Sequence, residues 1–406
     1  MSITTEARRP DTTLLPLPAR ERDSLAELPA GQQPSWADAE LLAKVRGELA
    51  DSAPLVPAHE TVRLRALLAE VALGRALVVQ AGDCAEDPAD RTQEAVDRKA
   101  GLIDCLAGIL QARAGLPVLR VGRIAGQYAK PRSQPVEQRD GVELPVFRGP
   151  LVNAPGFDPY ERRHDPLRML DCHQAAASVL DRLHDRHDTR PGGTPVWTSH
   201  EALVLDYELP QLRRDAYNRT FLTSTHWPWI GERTRQLDGA HVELMSRIAN
   251  PVSCKVGPTM TVDELLALCA RLDPNRQPGR LTLIARLGAD VVSERLPALV
   301  AAVRDAGHPV SWLCDPMHAN TYTDRGGRKT RSVATVIDEL QRFHTAVTQE
   351  GGTAGGLHLE ATPEPVAECV ADSEPLASGA YTTLCDPRLN LQQAIAVANA
   401  WPQQAS

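Results

Sequence analysis

Long hydrophobic runs are missing from this 406-residue chain: no apolar stretch approaches the roughly 20 residues a membrane-spanning helix needs. The N-terminus, MSITTEARRPDTTLLPLPAR, has no apolar core of the secretory kind, so a signal peptide is excluded as a reading. No CxxC pair occurs among the eight cysteines. This points to a reduced, cytoplasmic protein in which a cysteine is core, metal ligand or nucleophile rather than half of a disulfide. Aromatics make up only 4% of the chain. Lysine is scarcer still: Lys44, Lys99, Lys130, Lys255 and Lys329 are the only five, so nearly all of the 44 cationic residues are arginine. The net charge of −8 argues against generic nucleic-acid binding. No G-x-x-x-x-G-K-[ST] loop and no G-x-G-x-x-G after a strand occurs, which disfavours nucleotide-driven chemistry. Ser199 and His200 stand together, but without the G-x-S-x-G elbow of a serine hydrolase.

What is present is a chain with 42% hydrophobic residues, enough to fill a core. Residues 1–35 are Pro-rich and polar and read as a flexible arm. Residues 36–74 read as a helical extension. Ser35 is a candidate N-cap, apolar residues recur at three- and four-residue spacing, and Gly74 is a stop. From 75 to 406 short apolar runs alternate with amphipathic stretches. The runs lie at 76–82, 118–125, 195–202, 226–232, 252–258, 281–288, 310–318 and 356–361. Eight strands alternating with helices are the composition of an α/β protein, a (β/α)8 TIM barrel.

Each run starts apolar and ends in polar chemistry, as in GDCAE, TSHE, CDPMH and HLE. In a parallel barrel all these ends share one face, where active sites are built. Cys84, His318, Glu360 and Asp386 fall at or just after strand ends. A sulfur, imidazole and carboxylate set suits Mn²⁺, Co²⁺, Fe²⁺ or Zn²⁺ better than Mg²⁺ or Ca²⁺. Taken singly, each would be an ordinary buried thiol, core histidine or surface carboxylate; the shared face is what groups them. Arg123, Lys130, Arg132, Arg233, Lys255 and Arg286 sit on the same ends. Six cations at one mouth need anions, and phosphate or carboxylate substrates match their geometry. Lys255 within VSCKVGP and Arg286 within LTLIARLG have apolar flanks that imply burial, and a buried cation must be paired. The residues alone reach metal-assisted carbon–carbon bond chemistry on small phosphorylated acids or sugars, with a Schiff base at Lys255 as an open alternative.

The strings QAGDCAE (80–86), VGRIAGQYAKPRS (121–133), TSHEALVLDYE (198–208), WIGERTRQLDGAH (229–241), KVGPTM (255–260), CDPMHANT (314–321), GGLHLEAT (355–362) and CDPRLN (385–390) resemble those of the class II 3-deoxy-D-arabino-heptulosonate 7-phosphate (DAHP) synthases, in family order. The resemblance implies condensation of phosphoenolpyruvate with erythrose 4-phosphate and water to give DAHP and phosphate. It implies one divalent metal, Mn²⁺ or Co²⁺ first and Zn²⁺, Fe²⁺ or Cd²⁺ as alternatives, on Cys84, His318, Glu360 and Asp386. Arg123, Glu232, Arg233, Lys255 and Arg286 match phosphoenolpyruvate positions, Lys255 then being a clamp rather than a Schiff base. Lys130, Arg132 and Ser133 match the sugar-phosphate region. Glu232 is the candidate for handling the water. Ala81 and Ala319 stand where the family usually has glycine, and both leave the ligands intact.

The stretch from His173 to Trp197 is short for the family, which suggests a form without aromatic amino acid inhibition, as in secondary metabolism. Partners implied are the two substrates and other copies of the chain, as a homodimer or larger; no nucleic acid and no membrane is expected. The rivals are an amino-DAHP synthase acting on an imino analogue, a non-catalytic paralogue, and an unrelated metal-dependent barrel hydrolase.

Overall fold

A computed structural model describes residues 14–189, 194–372 and 379–403. All eight expected runs are strands, and all are parallel: β1 Leu77–Gly82, β2 Val118–Arg123, β3 Val196–Thr198, β4 Trp229–Ile230, β5 Val252–Val256, β6 Leu281–Ala285, β7 Ser311–Cys314 and β8 Thr353–Glu360. Their order in the sheet is β3-β2-β1-β8-β7-β6-β5-β4. The ring closes between the ends of that order. Glu201 bridges Trp229, and backbone bonds run from Trp227 to Thr198, from Trp229 to His200 and from Ala202 to Trp229. β4 is only two residues long because Pro228, which has no N–H, precedes it.

Helices return the chain between strands: α1 Gln93–Ala114, α2 Leu167–Thr189, the single turn α3 Leu205–Glu208, α4 Ala240–Arg247, α5 Val262–Leu272, α6 Val292–Asp305, α7 Val333–Gln349 and α8 Leu391–Asn399. Side-chain caps start several of them: Thr92, Thr261 and Ser332 each accept a backbone N–H, and Asn390 forms a capping box with Gln393. Outward-facing strand residues such as Leu77, Val79, Leu283 and Leu357 pack against helix residues such as Leu106, Leu268, Leu299 and Phe343. Among the described residues, no helix is long and apolar enough to cross a membrane.

The barrel interior is read by the period of two. Near the N-terminal end it is apolar, with Val78, Leu119, Trp197, Trp227 and Leu313 in one cluster. The helix Ala58–Ala72 adds Leu64, Leu68 and Val71 to that cluster and so plugs this end. Higher up the inward positions turn polar: Gln80, Ser199, Lys255 and His358, then Arg123, Glu201, Asp315 and Glu360.

The described part of the expected arm differs from a free segment. Leu15–Pro16 pairs antiparallel with Leu212–Arg214, and the helix Ala19–Ala26 follows. Leu17 and Leu25 are buried there, and two leucines sheltered from water are enough to hold a polar stretch down. The sequence also did not reveal the hairpin Val136–Arg139 with Val142–Pro145 in the β2–α2 connection, whose strands are mostly exposed and carry no apolar run.

Candidate active site

The carboxyl ends of the strands deliver one buried cluster. Cys84 follows β1, Glu360 ends β8 and Asp386 lies on the connection to α8; one ligand atom of each lies within 4.8 Å of the others. His318, after β7, puts Nε2 3.0 Å from Glu360 Oε1, so the fourth expected ligand joins the group through that carboxylate. Its Nδ1 is 2.7 Å from Asp315 Oδ2, which fixes the ring. The donor set fits a borderline divalent ion.

Glu360 is the hub. Oε1 receives Arg123 Nη2 and Lys130 Nζ, both at 3.1 Å, and Oε2 receives Arg331 Nη1 at 2.8 Å. Burial would raise its pKa, but His318, Lys130 and Arg331 hold it well below the usual carboxylate range. The same balance, with Lys130, Arg331 and Lys329 outweighing burial, keeps Asp386 low. Lys130 is driven up against its own burial by Cys84, Glu360 and Asp386. Burial, together with Cys385, pushes the Cys84 thiol well above its ordinary value. An ion binding there must therefore displace a proton.

Beside this cluster opens a cavity walled by five of the six expected cations, Arg123, Lys130, Arg233, Lys255 and Arg286, with Glu201, Glu232, His318, Asp386 and Trp229. Arg123 and Lys255 both stand over the Trp229 ring, at 5.3 and 5.9 Å from its centroid. Lys255 is buried and bonded to Asp315; burial first, then the charges of Arg123 and Arg286, bring it down to about 8. Asp315 thus serves Lys255 and His318 at once and is itself held well below the carboxylate range, because these cations overcome its burial. Arg286 Nη2 donates to the His318 carbonyl at 3.0 Å.

Two expected residues stand apart. Arg132 is half-buried with its backbone N–H on Gln32 Oε1, Ser133 is exposed, and neither walls the cavity. Three that do matter to the geometry were not singled out from the sequence. Glu201 sits in the quoted TSHE string; burial raises its pKa, and its Oε1 has no hydrogen-bond partner. Gly231 leaves it room, since a Cβ there would collide with that carboxylate. Arg331 is fully buried and grips Glu360, but no strand end announces it. Arg388, inside CDPRLN, joins Asp83 at 2.6 Å and Glu368 at 2.7 Å, tying the loop after β1 to the loop of Asp386.

Known proteins resemble this chain along most of its length. The class-II DAHP synthetase family matches residues 20–187 and 184–401. A probable phospho-2-dehydro-3-deoxyheptonate aldolase of Pseudomonas fluorescens is 53% identical over 91% of this chain and 94% of its own length. A phospho-2-dehydro-3-deoxyheptonate aldolase of Mycolicibacterium smegmatis is 37% identical over 96% of this chain and 97% of its own. That alignment runs over 452 positions, more than this chain's 406 residues, so the relative carries segments absent here. Among solved structures, the aldolase of the same name from Francisella tularensis SCHU S4 superposes with a TM-score of 0.52 at 14% identity, over 92% of this chain and 99% of the other, and supports the fold.

Proposed function

Because the chain belongs to the class-II DAHP synthetase family, we propose that its cation-walled cavity takes phosphoenolpyruvate and that the adjoining Cys84, His318, Glu360 and Asp386 hold one divalent ion, Mn²⁺ or Co²⁺. The reaction is the condensation of phosphoenolpyruvate with erythrose 4-phosphate and water to DAHP and inorganic phosphate, the first step of the shikimate pathway. DAHP synthase and phospho-2-dehydro-3-deoxyheptonate aldolase are two names of this enzyme. The observation that supports the residue-level reading best is the adjacency itself: five cations around one cavity, sharing a wall with a sulfur–imidazole–carboxylate cluster.

The roles follow from charge and position. Arg123, Lys255, Arg286 and Arg233 hold the carboxylate and phosphate of phosphoenolpyruvate, the arginines through directed N–H groups and lysine as a point charge. Lys130, on the border of cavity and metal cluster, is the inner contact for erythrose 4-phosphate, while Arg132 and Ser133 lie further out and reach only its phosphate end. When bound, the ion supplies Lewis-acid polarisation of the aldehyde. Holding both substrates at one mouth sets the methylene carbon against that carbonyl in a near-attack geometry.

Two carboxylates can handle the water that adds to the former enol carbon. Glu232 bonds Arg235 at 2.9 Å through Oε1 and keeps Oε2 unpartnered. Glu201 is more deeply buried, and its raised pKa brings it closer to the range where a general base works at neutral pH. Glu201→Gln is expected to lower kcat about 100-fold or more with little change in KM for phosphoenolpyruvate. If Glu232→Gln alone does so, the role belongs to Glu232.

The direct test is phosphate release from the two substrates by protein stripped with a chelator, before and after Mn²⁺ or Co²⁺ is restored. Metal-restored turnover is expected. Folded protein that stays silent with every ion would point instead to an imino acceptor or a non-catalytic role. A reducing, cytoplasmic setting is supported by eight unpaired thiols. A homodimer or larger assembly is carried by the family resemblance and is tested by light scattering.

A further inference from the structure

The middle layer of a barrel is usually filled with branched aliphatics, yet here it holds a chain of hydrogen bonds. Gln80 on β1, His358 on β8 and Ser199 just past β3 are all fully buried. Arg123 Nη1 is 2.6 Å from His358 Nε2, and His358 Nδ1 is 2.7 Å from Gln80 Oε1. Gln80 Nε2 donates to Ser199 Oγ at 2.7 Å, and Ser199 donates to the Trp227 carbonyl. The direction of every link follows from the first. A guanidinium can only donate, so His358 Nε2 accepts. The single ring proton then sits on Nδ1 and goes to Gln80 Oε1, which turns the Gln80 amide toward Ser199.

Arg123 has five N–H groups. Nε–H donates to the Asp83 carbonyl at 3.1 Å, and Nη2 reaches the Cys84 carbonyl at 3.4 Å and Glu360 at 3.1 Å. With one Nη1 hydrogen on His358, a single N–H is left for the cavity that Arg123 walls. The geometry points to His358, locked as its Nδ1–H form by Gln80, being a positioning residue that aims this one remaining donor at phosphoenolpyruvate. A side chain already fixed on four sides loses little freedom when the anion arrives, which is how preorganisation strengthens binding. The inference rests on the reading of Arg123 as a phosphoenolpyruvate clamp.

Two measurements on the full chain test it. Nitrogen-15 spectra of histidine-labelled protein, with His358 assigned by its loss in His358→Gln, are expected to show a neutral ring protonated at Nδ1 with Nε2 accepting. A ring protonated at Nε2 or at both nitrogens overturns the proposal, whatever the variants do. Then phosphoenolpyruvate affinity is read from tryptophan fluorescence and from KM. His358→Leu strands one N–H of Arg123 and is expected to weaken affinity roughly tenfold or more, with kcat at saturation falling less than KM rises. His358→Gln offers an acceptor and a donor in the same order and is expected to rescue most of that loss. Unchanged affinity in folded His358→Leu overturns the inference, and failure of that variant to fold leaves the decision to the spectrum. Arg123→Gln separates the two levels. If it leaves affinity intact, the clamp reading itself fails; if it abolishes affinity while His358→Leu is normal, only the positioning role fails.

Discussion

Lys255 has two effects that run in opposite directions with pH. Its folded pKa of about 8 lies below the ordinary lysine value of 10.5 because burial disfavours the charge. Between these values the unfolded chain holds a proton that the folded one has released, so this residue makes folding more favourable as pH rises through the window. The anion clamp proposed for Lys255, however, needs the ammonium. kcat/KM for phosphoenolpyruvate is therefore expected to fall about tenfold per unit above pH 8 while this group costs no thermal stability; a profile flat to pH 10 would sink the assignment. At Cys84 the expectation concerns the ion. Cys84→Ser removes the soft donor, and Co²⁺ affinity, read by competition with a chelator, is expected to drop by more than about tenfold, together with loss of sulfur-to-cobalt absorption. Of the side chains gathered at the cluster and the cavity, Cys84, Lys255, Arg286, His318 and Glu360 were legible because each lies at or next to the end of an apolar run. Arg331 was not, since its meaning comes from a carboxylate 29 positions away.

Among the elements, the helix Ala58–Ala72 gives the cleanest separation of stability from chemistry. Leu68 is fully buried in the plug at the end of the barrel opposite the cavity. Leu68→Ala is expected to cost about 2–5 kcal/mol in denaturant unfolding, with KM for both substrates unchanged. A shifted KM would mean that the two ends of the barrel are coupled. All eight strands could be read from the sequence because each is an apolar run closed by polar residues. The element the sequence misjudged most is the start of the chain, where Leu15–Pro16 gains its strand character only from Leu212–Arg214, a partner almost 200 residues away. No local pattern encodes such a pairing.

For the whole molecule, the family match falls in two stretches that meet at 184–187, at the end of α2, where the sequence reads as short. Phenylalanine, tyrosine and tryptophan, alone and combined, are expected to leave the rate within about twofold; strong inhibition by any of them would show that a regulatory site exists elsewhere on the barrel.

The pairing of β8 with β1 also bears on how the protein is made. Cys84 and Asp386 meet across 302 residues, and β1 finds its second neighbour only when β8 has been synthesised. Until β8 is made, the edges of β1 and β7 that it covers in the finished sheet have no partner there, and open strand edges are sites of mispairing. Closure waits for β8, and with it the meeting of Cys84 with Glu360. A nascent chain halted before Glu360 carries the Cys84 thiol without either of the carboxylates it meets in the folded protein.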